Sequence, residues 1–223
     1  MAIIITGVSK GIGKKTLQDL EKKHDVVGCS RSIQEQETKN KLLLKLDVNK
    51  DEDLQKLVDK TLEKFGKIDA IILNAGLGTF FKLEETTEED FDKMFNTNVK
   101  SLQKLLSKTL PILKKQNKGQ IIAITSMAGL NPVPNGSVYA STKWAVQGLI
   151  KSLKQEVRDT KIKIALIQPG SVKTNFFDKT NMSPNPERVL NPEDISRAIL
   201  FILEQPMTSD IDEISIRPAY NPK

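Results

Sequence analysis

The chain has 223 residues, 34 lysines and arginines against 28 aspartates and glutamates, one cysteine and one histidine. That length suits one domain with a full core, while the lone cysteine excludes an internal disulfide and the lone histidine excludes a histidine-based triad or a histidine-rich metal site. The net charge of +6 is spread over helical lysines interleaved with acids, with no dense basic block or aromatic ladder, so nucleic acid is not an expected partner.

Ala2-Ile3-Ile4-Ile5-Thr6 opens the chain as a buried strand. Beginning at residue 2, it leaves no room for a leader peptide, and no apolar run reaches the roughly 18 residues that span a bilayer. Together with a single thiol, Cys29, this predicts a reducing cytoplasm and no membrane partner. Cys29 and His24 read as structural residues.

Gly7-Val8-Ser9-Lys10-Gly11-Ile12-Gly13 follows the strand, and a helix is expected over 14–23. Strand, glycine turn and helix is the arrangement in which backbone N–H groups and the helix dipole receive a phosphate. One glycine permits the tight turn, one admits the phosphate, and one lets helix and strand pack closely. A triphosphate loop is excluded, because Val8 stands where its first glycine belongs and Lys15 where its hydroxyl belongs. The six-residue dinucleotide fingerprint fails too, since Gly11-Ile12-Gly13 leads to Thr16. What remains is Thr-Gly-x-x-x-Gly-Ile-Gly.

Further strands are expected at 25–29, 42–46, 69–73, 119–125, 162–168 and 213–217, alternating with helices. This predicts an α/β chain forming a single domain over 1–223. Its core is a Rossmann-like, doubly wound parallel sheet of about seven strands with helices on both faces. The second strand runs into Ser30-Arg31-Ser32, the third into Asp47-Val48, and the fourth into Asn74-Ala75-Gly76. Asp47 by itself also reads as the N-cap of a helix beginning near Lys50. A capping box from Thr86 to Glu89 starts a helix that passes through Asn98 into a second one ending near Asn117.

Ser126 follows the fifth strand, and Tyr139 and Lys143 stand four apart on the next helix. A phenol with a reference pKa near ~10 is a weak acid at neutral pH. An ammonium one helical turn away favours the phenolate, because residues i and i+4 share a face. A hydroxyl from another segment then holds the oxygen atom that the phenol protonates. Pro169-Gly170-Ser171-Val172-Lys173-Thr174 closes the sixth strand, and 171–191 is the one long irregular stretch.

With Thr-Gly-x-x-x-Gly-Ile-Gly at 6–13, Asn-Ala-Gly at 74–76, Ser126 and Tyr-x-x-x-Lys at 139–143, the chain resembles the short-chain dehydrogenases/reductases from residue 2 to about residue 218. The resemblance implies hydride transfer between a nicotinamide cofactor and a small carbonyl or alcohol substrate, with no metal. Tyr139 is then the acid, Ser126 steadies the oxygen, and Lys143 lowers the phenol pKa and anchors the nicotinamide ribose. Asn98 is the fourth member, its bent main chain holding a water that extends a proton relay from Lys143. Read from the residues alone, it is an asparagine in a bend between helices.

For the cofactor, the resemblance implies that Gly7, Ser9, Lys10, Gly11, Ile12 and Gly13 hold the pyrophosphate and that Asp47 and Val48 meet adenine. Asn74, Ala75 and Gly76 then lie against ribose, while Pro169, Gly170, Val172 and Thr174 fix the carboxamide. Ser30, Arg31 and Ser32 face the 2′ position, where two cations (Arg31 and Lys10) and no carboxylate before Glu35 favour NADP(H) over NAD(H).

The segment 171–191 closes over substrate, and its small size implies an open pocket. The helices over 99–116 and 138–159 pair with a second copy, giving a homodimer or homotetramer. The ending Ile214-Ser215-Ile216-Arg217-Pro218 lacks the apolar, glycine-rich tail of acyl-carrier-protein ketoreductases and points to small carbonyl compounds. A non-catalytic NADP-binding sensor or scaffold is the alternative.

Overall fold

The computed structural model describes residues 1–178, 180, 182 and 185–219. Its sheet grows from short β-branched runs buried on both faces, as parallel strands covered by helices require. The strands are β1 (Ala2–Thr6), β2 (Asp25–Ser30), β3 (Gln36–Glu37), β4 (Lys41–Lys45), β5 (Ala70–Leu73), β6 (Gly119–Ile124), β7 (Ile162–Pro169) and β8 (Glu213–Ile216). Their order across the sheet is β3-β4-β2-β1-β5-β6-β7-β8. All neighbours are parallel except β3 and β4. The count is therefore eight, not seven. The additional strand is two exposed residues long, too short for any periodic signal, and Glu37 in it pairs with Lys64 at 2.6 Å.

The helices are α1 (Gly11–Leu20), α2 (Asp51–Phe65), α3 (Glu88–Phe95), α4 (Ser101–Gln116), α5 (Ser137–Glu156) and α6 (Pro192–Leu203). Successive side chains of a strand point to opposite faces, so β1 alone divides the core. Ile4 joins Leu54, Leu57, Leu105, Leu113, Val146 and Ile150 from α2, α4 and α5. Ile3 and Ile5 join Leu17, Leu20, Ile195 and Ile199 from α1 and α6. The result is a single three-layered domain with the sheet in the middle.

Three local expectations change. α1 starts at Gly11 rather than 14 and stops at Leu20, so the glycine loop is already its first turn. α3 is capped by Thr87, whose hydroxyl accepts from the Asp90 N–H at 3.1 Å. Thr86 instead closes a 3₁₀ turn over Leu83–Glu85 and donates to the Lys82 carbonyl. Asp47 does not cap α2, which begins at Asp51. Its carboxylate accepts from the Asn49 N–H at 3.0 Å and fixes the turn leaving β4.

Between α3 and α4 the helix does not break. Asn96–Lys100 forms a π turn in which the Ser101 N–H reaches back to the Asn96 carbonyl, and the two helices run on as one rod. On α4 and α5, Leu102, Leu105, Leu106, Val146 and Leu153 are buried in the chain's own core, and Leu110 and Leu149 are half-buried against it. Trp144 is 53% exposed. Among the described residues no helix is long and apolar enough to cross a membrane.

Candidate active site

Strand order reverses direction at β1, which has β2 on one side and β5 on the other. Loops leaving the carboxyl ends of such neighbours part and leave a crevice. Gly7 and Gly11 take φ of +76° and +57°, a region other residues enter only with strain. Gly13 has an ordinary φ but no room, since a Cβ there would lie 2.3 Å from the Gly7 carbonyl oxygen and 2.5 Å from Asn74 Nδ2. That amide clamps the loop, donating to the carbonyls of Thr6 at 2.9 Å and Gly7 at 3.1 Å. Thr6 returns the contact: its Oγ1 accepts from the N–H groups of Asn74 and Ala75. Strand, loop and the end of β5 are thus one hydrogen-bonded unit.

The crevice is a cleft of about 610 Å³. It gathers Gly7, Ser9, Lys10, Gly11, Ile12 and Gly13 from the first loop, Ser30, Arg31 and Ser32 from the second, and Asp47 and Val48 from the third. Asn74, Ala75 and Gly76 line it after β5, and Pro169, Gly170, Val172 and Thr174 after β7. Ser126, Tyr139 and Lys143 complete it. β2 and β6 are three strand spacings apart, so Ser30-Arg31-Ser32 and Ser126 lie roughly 14 Å from one another along the crevice. Thr174 bends over the opening, its methyl carbon 3.0 Å from where a Cβ on Gly11 would be.

At the far side of the cleft, Ser126 leaves β6 in extended conformation and its Oγ accepts from the Ala128 N–H at 3.1 Å. Tyr139 and Lys143 project from α5 and are both buried, at 7% exposure. Burial pushes the Tyr139 phenol up to about 12, with a hydrogen bond from Ser126 pulling the other way. Burial likewise pushes Lys143 down to about 8. In the protein by itself, burial outweighs any lowering of the phenol by Lys143. Desolvation penalises both charged forms, and the Lys143 Nζ lies over the Tyr139 ring, 5.6 Å from its centroid.

Asn98 sits behind the cleft rather than on its wall. Its Oδ1 accepts from the Leu77 N–H at 2.9 Å, and its Nδ2 donates to the Leu77 carbonyl at 2.8 Å and to Thr142 Oγ1 at 3.0 Å. Thr142 in turn donates to the Tyr139 carbonyl at 2.7 Å. The π turn, the loop after β5 and the helix carrying Tyr139 are joined through these two buried side chains.

The crevice fits a dinucleotide by its own shape. The three glycines leave a side-chain-free cradle at the N-terminus of α1, and Lys10 precedes the helix without a side-chain cap. Ser30 Oγ is buried with no hydrogen-bond partner at the wall where a ribose 2′ group would stand. A ligand or an ordered water satisfies a polar atom left in that state.

A family model described as short chain dehydrogenase matches residues 1–185. The chain belongs to the short-chain dehydrogenase family. Among its relatives is an uncharacterized oxidoreductase of Listeria innocua, 32% identical over 99% of this chain and 97% of its own. The 3-ketodihydrosphingosine reductase of Bacteroides thetaiotaomicron is 37% identical over 81% of this chain and 67% of its own. Among solved structures, an alcohol dehydrogenase from the archaeon Thermococcus sibiricus, complexed with 5-hydroxy-NADP, superposes with a TM-score of 0.88. It has 30% identity and covers 100% of this chain and 98% of that one. The protein is thus an oxidoreductase of the short-chain dehydrogenase family.

This short-chain dehydrogenase also has cleft residues that reading the sequence missed. Phe80, Val133, Phe176, Phe177 and Met182 surround Tyr139. One signal for them existed: with aromatic residues at 5% of the chain, a Phe176-Phe177 pair in an otherwise polar stretch is conspicuous. Leu77 and Thr142, which hold the site from behind, had no such signal, and Thr6 was read only as the opening of the glycine motif, with no role of its own.

Proposed function

We propose that the protein is an NADP(H)-dependent reductase of small carbonyl compounds that also oxidises the corresponding alcohols. One observation carries the reading. The cleft has a neutral, buried phenol beside a serine at one end, and two cations with an unpaired hydroxyl at the other, where Ser30-Arg31-Ser32 brings no carboxylate. The archaeal alcohol dehydrogenase complexed with 5-hydroxy-NADP supports the choice of cofactor.

Bound NADPH would supply the hydride. Arg31 and Lys10 hold the 2′-phosphate, with Ser30 donating its free hydroxyl. The glycine loop and the first turn of α1 receive the pyrophosphate, Asp47 and Val48 line the adenine side, and Ala75 and Gly76 lie against ribose. Pro169, Gly170, Val172 and Thr174 orient the carboxamide.

Tyr139, pushed up to about 12, keeps its proton at neutral pH and is in the form that reduction needs. Its hydroxyl donates that proton to the carbonyl oxygen as negative charge develops there, and Ser126 donates a hydrogen bond to the same oxygen. Lys143, pushed down to about 8, exchanges its proton near working pH and replenishes the phenol while holding the ribose hydroxyls. Asn98 and the π turn continue that relay towards solvent. Residues 171–191 form the substrate side; Lys179, Asn181, Ser183 and Pro184 in that stretch lie outside the described residues.

The test is NADPH oxidation against a panel of ketones, aldehydes and quinones, with Tyr139→Phe as the control. The variant should bind NADPH nearly as wild type and lose about 10²–10⁴ of its turnover. Half of the wild-type kcat remaining in that variant would remove Tyr139 from the role of acid.

A further inference from the structure

Three phenylalanines crowd the phenol. The Phe80 and Phe176 rings lie 5.1 Å and 5.7 Å from the Tyr139 ring, and Phe177 stands edge-on to Phe176 at 5.2 Å and stacked on Phe80 at 6.3 Å. Phe176 occupies space that only a glycine at 78 leaves open: a Cβ there would come within 2.7 Å of its Cζ and 3.0 Å of Tyr139 Cδ2. Val133 and Met182 pack on the same cluster.

Among the described residues, Lys143 is the one charge that lines this end of the cleft. Among the described lining residues the charged ones are Lys10, Arg31, Asp47 and Lys143. The first three leave β1, β2 and β4, on the cofactor side of the sheet order. Lys143 is the fourth, its Nζ over the Tyr139 ring at 5.6 Å and 3.6 Å from the position of a Cβ on Gly76, on the ribose side of the phenol. Asn175, a polar neighbour, already donates to Asp178 at 2.7 Å. A carboxylate or ammonium on the substrate's body would shed its hydration against phenyl rings and meet no charged partner beside Phe80, Phe176 and Phe177 among the described residues. An apolar body gains by burial in the same place.

We propose that the substrate is an uncharged carbonyl compound with an apolar body, and that Phe80, Phe176 and Phe177 impose this choice. The inference rests on the reading of the cleft as a carbonyl-reducing site, and names the substrate class for that site.

Two nearly isosteric pairs test it. The alcohols para-isopropylbenzyl alcohol and para-(hydroxymethyl)benzoate are titrated calorimetrically into protein saturated with NADP⁺, and the matching aldehydes are assayed for NADPH oxidation. The neutral alcohol is expected to bind about 100-fold more tightly than the acid. Binding of the acid within about tenfold of the neutral alcohol, or binding of neither at millimolar concentration, overturns the proposal. Phe177→Arg gives a carboxylate its missing partner and should narrow the ratio by about tenfold. An unchanged ratio in a variant that unfolds like wild type would take Phe177 out of the discrimination and overturn the assignment. If the neutral alcohol binds selectively while neither aldehyde oxidises NADPH, the reductase reading fails and the ligand preference stands.

Discussion

Replacing Lys143 by Met removes a buried ammonium and keeps much of the side chain's length. Burial takes the Lys143 pKa from its ordinary 10.5 to about 8, so folding disfavours its charged form. Near pH 7 the lysine is protonated in both states, and the folded state bears a penalty of about 3 kcal/mol. Between the folded and unfolded pKa values the folded protein has released this proton while the unfolded chain still holds it. Stability from this group therefore rises with pH across that window, and the penalty falls below about 1 kcal/mol near pH 10. Tyr139 acts in the opposite sense. Its pKa is raised from 10.0 to about 12, so the stability it contributes is lost as pH rises through those values. Urea unfolding of wild type and Lys143→Met near pH 7, 8.5 and 10, at one ionic strength, isolates the lysine. Any packing difference of methionine shifts all three points equally. The variant's advantage should shrink by about 2 kcal/mol from the lowest pH to the highest. A difference that stays flat with pH would show that Lys143 is not buried as an ammonium, whatever its mean value.

Arg31→Asp should cost about tenfold or more in kcat/KM for NADPH, through a lost charge-assisted hydrogen bond and added repulsion, and shift preference towards NADH. Measuring kcat/KM for both cofactors checks this, and an unchanged ratio means that Arg31 does not face the 2′ group. Gly13→Ala drives a methyl group into the Gly7 carbonyl and the Asn74 amide, at 2.3 Å and 2.5 Å. It should destabilise the fold by about 2–4 kcal/mol and weaken nucleotide binding, and urea unfolding with a loss under about 0.5 kcal/mol would contradict the clamp. We also expect pairing through α4 and α5, where Trp144 is exposed. Light scattering should then give a dimer or tetramer rather than a 24.9 kDa monomer.

Much of the cleft was legible because glycine spacing and strand ends are local facts. Gly7, Asn74 and Ser126 each follow a run whose β-branched composition marks a strand, and strand ends are where crevice residues collect. Tyr139 and Lys143 were legible through i,i+4 geometry. Their pKa values were not, because burial is a tertiary property: Phe80 and Phe176, which pack on the Tyr139 ring, arrive from distant segments. The cap of α3 moved one residue because the 3₁₀ turn before it claims Thr86. β3 escaped notice since two exposed residues have no period, and only the antiparallel ladder with β4 defines it. Asn98 was read as lying in a bend, but nothing marked a π turn, because Asn96 to Lys100 has the same composition an α-helical turn would tolerate.

That π turn fixes the rotational phase of one helix against the other. A residue added to or taken from an α-helix turns everything beyond it by about 100°. Upstream, Met94 is buried in the aromatic cluster around Tyr139, and downstream Leu105 and Leu113 are buried beneath the sheet. Restoring a regular helix by deleting one residue would swing one of these two sets into water. The irregularity is thus locked from both ends by packing rather than by Asn98 itself. Changing Asn98 would cost its hydrogen bonds to Leu77 and Thr142 but would not straighten the rod, whereas changing the length of this segment would. Descendants of this chain are expected to vary Asn96 and Lys100, the exposed side chains of the turn, long before they vary its residue count.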